Sequence, residues 1–139
     1  MTQLVDDQLL GAVLQGSPPP QHDASLYTIG YFYVRLCQAV LGSSTRAGVL
    51  SAPFDSLPDE LRGRAIRSLI ELPEDIGVVS LRQLAPVIGQ LRVRHDLNIL
   101  GMEVLAAAVY LKADVYLSAP SPRLEASIRR EARTVEILD

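Results

Sequence analysis

The segment that most constrains the fold runs from Ile99 to Leu111 and is apolar nearly all round. It lacks the polar face that is typical of a surface helix, so we predict a helix that is buried on all sides. A strand at Val115–Leu117, a helix at Pro122–Ala132 and a strand at Val135–Leu138 are predicted to follow it. Strands separated by helices favour a parallel sheet that is covered on both faces.

The preceding residues continue this alternation, and Asn98 is a suitable N-cap for the buried helix. Further strands are predicted at Leu4–Val5, Leu26–Ile29 and Ile76–Val79. Further helices are predicted at 9–14, 31–41, 56–71 and 81–91, with capping boxes at Ser56 and Ser80, a kink at Pro86 and a loop at 42–53. We therefore predict a single α/β domain over residues 1–139, with a central, mostly parallel five-stranded sheet flanked by helices in three layers.

Composition limits the class of protein. Apolar residues make up 48% of the chain, which excludes a disordered protein, and no apolar run reaches the length of a membrane span. The first residues become acidic at Asp6 and Asp7 and lack the basic segment of a signal peptide, so no signal peptide is expected. The single cysteine, Cys37, has no partner for an internal disulfide. We expect a cytoplasmic protein without a membrane partner. The net charge of −3 gives no global argument for nucleic-acid binding.

Several familiar catalytic signatures are absent from the sequence, including phosphate-binding glycine loops, zinc-binding motifs and a nucleophile elbow. Both histidines, His22 and His95, are expected at the surface. Asp6 and Asp7 directly follow the first strand, and ligands bind at the carboxyl ends of parallel strands. The alternative is that one aspartate caps the first helix. With two in a row both can hold, with Asp6 pointing into the crevice and Asp7 supporting the start of the helix.

Glu103 is the only charged residue in the apolar helix. A buried carboxylate needs a cation, hydrogen bonds or a path to water, because burying an unpartnered charge is costly. The alternative is that Glu103 lies on a narrow exposed stripe of the helix. The residues alone leave both interpretations open.

Three segments together resemble the PIN-domain family: Leu4–Asp6, Glu103–Ala108 and Ala113–Ser118. PIN domains are small α/β nucleases, and many are the toxins of bacterial toxin–antitoxin pairs. The resemblance implies that Asp6 and Glu103 are catalytic residues and ligands of Mg²⁺ or Mn²⁺. It also implies a homodimer and an antitoxin-like protein partner.

The departures from the family pattern affect its acidic site. Arg35 stands where the family has a glutamate on an early helix, and Ser118–Ser121 has no acid where the fourth is expected. A guanidinium group could bind Asp6 or Glu103 and occupy the position of the metal. We therefore predict weak or absent metal binding and no resident cofactor.

We consider three candidate functions for a chain with these residues. The first is a degenerate PIN-like domain of toxin–antitoxin origin that binds RNA or a protein partner, with Arg35, Asp7, Thr28 and Ser118 as candidate binding residues. The second is an active, Mg²⁺- or Mn²⁺-dependent ribonuclease toxin, in which Asp7, Asp96 or Asp114 supplies the missing ligands. A small-molecule-binding domain ranks last, because the sequence offers it no phosphate-binding loop. The aromatic cluster Tyr31–Tyr33 is assigned to the core in preference to an interface.

Overall fold

The protein is described by a computed structural model over residues 1–42 and 48–138. Within these ranges the chain forms five strands and seven helices. The strands are β1 (Thr2–Val5), β2 (Ser25–Ile29), β3 (Ile76–Val79), β4 (Asp114–Leu117) and β5 (Val135–Ile137). The helices are α1 (Asp7–Leu14), α2 (Gly30–Leu41), α3 (Ala52–Asp55), α4 (Asp59–Ile70), α5 (Leu81–Leu91), α6 (Ile99–Leu111) and α7 (Pro122–Arg130).

The strands form one sheet in the order β3-β2-β1-β4-β5, and every neighbouring pair is parallel. The register places Val5 of β1 opposite Tyr116 of β4, so the chain leaves both strands at the same edge of the sheet. The predicted single α/β domain with a five-stranded sheet and helices on both faces is confirmed. None of the helices in the described ranges is long and apolar enough to cross a bilayer.

Successive residues of β1 point to opposite faces of the sheet and enter different cores. Leu4 packs in a cluster built mainly from α5, α6 and α7, together with residues of β4. Val5 packs in a second cluster built from α1, α2, α3 and α4. The sheet is therefore the middle layer of three.

Helix α6 is the central element of the first core, as the sequence predicts. Every residue from Gly101 to Ala108 is buried. Asn98 caps the helix by accepting a hydrogen bond from the backbone N–H of Gly101 at 2.8 Å. The helix ends at Lys112, whose φ of 52° is the left-handed conformation common at helix C-termini.

Two local predictions are wrong. The short helix α3 begins in the last two residues of the segment predicted as a loop and continues to Asp55; residues 43–47 of that segment are outside the described residues. Ser56 does not cap α4: its hydroxyl donates to the carbonyl oxygen of Pro53, and α4 begins at Asp59 behind Pro58. Proline disfavours helical geometry in the residue before it, which prevents an earlier start.

His95 is buried, with 4% of its surface exposed, which corrects the prediction of a surface residue. Its Nε2 lies 2.6 Å from Oε2 of Glu131, and Arg94 donates two hydrogen bonds to the same carboxylate. The hydrogen bonds from Arg94, followed by that from His95, lower the pKa of Glu131 to about 2. Glu131 is thus an ionised acceptor that joins the end of α7 to the segment between α5 and α6.

Candidate functional site

A cavity of ≈ 510 Å³ opens at the carboxyl ends of β1 and β4. Asp6 and Asp7 enter it from the end of β1, and Ser118 enters it from the end of β4. Arg35 on α2 and Arg123 on α7 lie at its walls. This is the edge at which parallel sheets bind ligands, so the topology brings four of the residues predicted for the site into one cleft.

Asp6 has both roles that the sequence left open. Its Oδ1 accepts from the backbone N–H of Leu9 at 3.0 Å, so Asp6 caps α1. Its Oδ2 accepts from the backbone N–H and the hydroxyl of Ser118, at 2.7 and 2.6 Å. A carboxylate offers about four lone-pair sites. With three donors already bound, Asp6 has little capacity left for a ligand.

Asp7 is bound less completely. Its Oδ1 accepts from the backbone N–H of Gln8 at 2.8 Å. Its Oδ2 is buried and lies 3.4 Å from Nε of Arg35, which makes an ion pair but not an aligned hydrogen bond. Burial raises the pKa of Asp7, the charge of Arg35 opposes this, and the charge of Asp6 adds to it. Within the described residues, Asp7 therefore keeps one buried oxygen without a hydrogen-bond donor at the cavity.

Arg35 enters the cleft, and its partner there is Asp7 rather than Asp6 or Glu103. Its side chain is 45% exposed, so solvent screens part of the attraction. The guanidinium group is therefore available to a ligand at the mouth of the cleft as well as to Asp7.

Glu103 and Thr28 do not line this cavity. Glu103 is 5% exposed, which excludes the exposed stripe, and the backbone N–H groups of Tyr31 and Gly30 face its carboxylate. Burial raises the pKa of Glu103 more than these N–H groups lower it. The hydroxyl of Thr28 donates to the carbonyl oxygen of Val5 at 2.9 Å, so Thr28 joins the ends of β2 and β1.

The residues present do not fit a Mg²⁺ or Mn²⁺ centre of the kind that the resemblance implies. Such a centre needs several oxygen ligands with free lone pairs in near-octahedral geometry. Asp6 is occupied by hydrogen-bond donors, Asp7 faces a guanidinium group, and Ser118 points its hydroxyl proton at Asp6. Within residues 1–42 and 48–138, no group of three or more metal-binding side chains is close enough to hold a metal.

The other acids considered for the site lie elsewhere. Asp96 is on the surface, where it pairs with Arg123 at 3.6 Å. Asp114 begins β4 at the amino end of the sheet and accepts hydrogen bonds from Gln21 and Thr134. Neither can join Asp6 as a ligand in this arrangement.

The sequence did not indicate that Arg123, Asn98 and Ser121 are polar residues of the cleft. It also did not indicate most of the apolar wall. The apolar wall includes Phe32, Leu97, Leu100, Val104, Leu117 and Leu124. One signal was available for Arg123, because the first turn of a helix that follows a parallel strand lies at the ligand-binding edge. The walls come from separate elements, and no local pattern in the sequence indicates that they meet.

Comparison with known proteins adds no assignment: no protein-family model matches the chain, and no curated protein matches it significantly.

Proposed function

We propose that this chain is a degenerate PIN-like domain of toxin–antitoxin origin that binds a protein partner and does not cleave RNA. The observation that carries the proposal is the internal occupation of the acidic residues. Asp6 binds Ser118 and the start of α1, and Asp7 pairs with Arg35. Metal-dependent hydrolysis requires an ion that activates water and stabilises charge on the phosphate, and these residues leave no adequate set of ligands for it.

A protein partner is favoured over RNA by the walls of the cleft and by the surface charge. The buried core of a protein–protein interface is apolar with a polar rim, and this cleft likewise has an apolar wall with a few polar groups. RNA affinity depends on unpaired cationic groups that neutralise phosphates. Several arginines of the described surface already form ion pairs with carboxylates: Arg62, Arg94, Arg123 and Arg129.

We propose that apolar side chains of the partner contact the cleft wall near Leu100 and that polar groups contact the partly exposed side chain of Arg35. The resemblance favours a small antitoxin-like protein, encoded beside this chain, as that partner. It also favours a homodimer as the assembly that presents the cleft.

An active ribonuclease is the second candidate, and one observation favours it. Asp7 lies beside Asp6 in the cleft, and its buried Oδ2 has no aligned hydrogen-bond donor. Rotation of Arg35 toward solvent would expose two adjacent carboxylates to a metal. This candidate still requires Asp6 to exchange its bound donors for metal.

Hydrolysis is tested with single-stranded and structured RNA in Mg²⁺ or Mn²⁺, using wild type and Asp6→Asn. We expect no metal-dependent cleavage by wild type above the background of the variant. Metal-dependent cleavage that Asp6→Asn abolishes would establish the ribonuclease instead.

Partner binding is tested by co-expression with the small protein encoded by the adjacent reading frame, followed by calorimetry. We expect Leu100→Glu, in the cleft wall, to weaken the complex by about tenfold or more, as a charge in an interface core does. Ile70→Glu is the matched control, because Ile70 is 59% exposed on α4 and does not line the cleft. Equal loss in both variants, or tight salt-dependent binding of labelled RNA with no protein complex, contradicts a protein-binding cleft.

A further inference from the structure

Helix α2 lacks a local cap at its N-terminus. It begins at Gly30, and the preceding Ile29 has no side-chain oxygen with which to accept a hydrogen bond. The first backbone N–H groups of a helix have no partners within the helix and carry partial positive charge. Ile29 is buried and Gly30 is half-buried, so the first of these groups is shielded from water and requires an acceptor from another element.

Glu103 of α6 lies at this position. Glu103 is 5% exposed, and the backbone N–H groups of Tyr31 and Gly30 face its carboxylate. A Cβ atom built on Gly30 would lie 3.9 Å from Oε2 of Glu103, so the carboxylate packs directly against the first residue of α2. Oε2 is buried and makes no hydrogen bond within the described residues, so its interaction with α2 is that of a carboxylate with the positive end of a helix.

We infer that Glu103 caps α2 from a different helix and thereby positions Arg35 against Asp7. Gly30 and Arg35 belong to the same helix, so an acceptor that fixes its first turn also fixes the direction from which Arg35 enters the cleft. Glu103 is then a positioning residue, and this role differs from the metal ligand that the PIN resemblance implies. The inference does not depend on what the cleft binds.

Other contacts hold the body of α2 in place, so the effect of Glu103 is local. Phe32 and Leu36 are buried in the two cores, and the hydroxyl of Tyr33 donates to the carbonyl oxygen of Leu69 at 2.7 Å. Loss of the cap should therefore loosen the first turn and shift Arg35 without detaching the helix.

The test uses Glu103→Ala and Glu103→Gln, with Glu136→Gln on the exposed face of β5 as control. Amide hydrogen exchange and ¹H–¹⁵N spectra follow the backbone of Gly30 and Tyr31 and the Nε–H of Arg35. In Glu103→Ala we expect exchange at the two amides to accelerate by about fivefold, the effect of losing a carboxylate at the positive end of a helix. The Arg35 resonance should move in the same variant, whereas Glu136→Gln should change none of the three signals.

Glu103→Gln keeps an acceptor oxygen and should give smaller changes in the same direction. If Glu103→Ala does not fold, the Gln variant alone decides, because its loss of charge must still shift the amide signals of Gly30 and Tyr31. Unchanged signals in the Gln variant, or an Arg35 resonance that ignores both substitutions, would overturn the inference. These readouts involve neither RNA nor a partner, so they are independent of the function proposed above.

Discussion

The amino and carboxyl ends of the sheet differ in how completely their polar side chains are hydrogen-bonded. At the amino end, Gln3 is fully buried, and its amide donates to the carbonyl oxygens of Gln21 and Ala24 and accepts from the N–H of Gln21. The side chain of Gln21 continues to Asp114 and Tyr116. This network holds the segment between α1 and β2 against the amino end of the sheet.

At the carboxyl end, like charges lie side by side and a cavity is left open. Asp6 and Asp7 are adjacent, and Oδ2 of Asp7 is buried without an aligned hydrogen bond. Burying a polar atom without a partner is costly, and such atoms are concentrated at sites that have a function. The amino end of the sheet therefore contributes to stability, whereas the carboxyl end leaves one buried polar atom without a hydrogen bond within the described residues.

The largest effect is expected from Gln3→Ala at the amino end. It removes three hydrogen bonds and leaves half-buried backbone groups of Gln21 and Ala24 unpaired, which should cost about 3 kcal/mol in the free energy of unfolding. Urea denaturation measures this, with the exposed Gln8→Ala as control. A loss below about 1 kcal/mol would mean that the network is not what fastens this end.

Ser118→Ala should have an intermediate effect at the carboxyl end. It removes the hydroxyl donor to Asp6 but keeps the backbone donor, so we expect a loss of about 1.5 kcal/mol, typical of a hydrogen bond to a charged group. The matched control is Ser121→Ala, in the same loop. Equal stability of the two variants in urea would show that Asp6 does not depend on Ser118.

Two Asp→Asn substitutions should change stability in opposite directions, and by less. The pKa of Asp114 is lowered, by the Thr134 hydrogen bond first and by Gln21 second, so its stabilisation is present above its unfolded pKa and is lost as pH falls toward the lowered value. The pKa of Asp7 is raised by burial, so its contribution is favourable at low pH and is lost as pH rises through that value.

We therefore expect Asp114→Asn to be less stable than wild type at neutral pH, and Asp7→Asn to be more stable. Both differences should shrink in acid, where the wild-type carboxyl groups are protonated. Thermal unfolding across this pH range tests the pair. If both variants lose stability at neutral pH, the proposed contrast between the two ends is wrong.

The smallest effect is expected from Arg123→Ala. Its side chain is 77% exposed, and its ion pair with Asp96, which is 91% exposed, spans 3.6 Å. Exposed ion pairs contribute about 0.5 kcal/mol or less, so the free energy of unfolding should hardly change while the cleft loses one cation. A large loss of stability would indicate that the hydrogen bond from Arg123 to the Asp96 carbonyl, and not the ion pair, supports the cleft wall.

The fold could be predicted from the sequence because the patterns that specify α6 and its neighbours are local. The all-round apolarity of α6, the cap at Asn98 and the short strands required no knowledge of distant contacts. The position of Asp6 also followed, since the carboxyl end of a parallel strand is defined by the topology alone.

The contacts that decide the roles of other residues join distant parts of the chain. His95 is buried through Glu131, 36 positions away, and Glu103 faces the start of α2. Nothing in the residues around His95 or Glu103 indicates these partners. The capping box predicted at Ser56 is wrong for the opposite reason: the local pattern favours a helix start there, but Pro58 prevents it.

The central claim is that contacts within the chain occupy the carboxylates of Asp6 and Asp7, so that these residues do not bind a metal. Its most direct test is a titration of ¹⁵N-labelled protein with Mn²⁺, whose unpaired electrons broaden the signals of nearby amides. We expect the amides of Asp6, Asp7 and Ser118 to keep their linewidths in wild type, and Arg35→Glu, which replaces the cation with an acid, to show selective broadening there. Selective, saturable broadening at these amides in wild type would contradict the account.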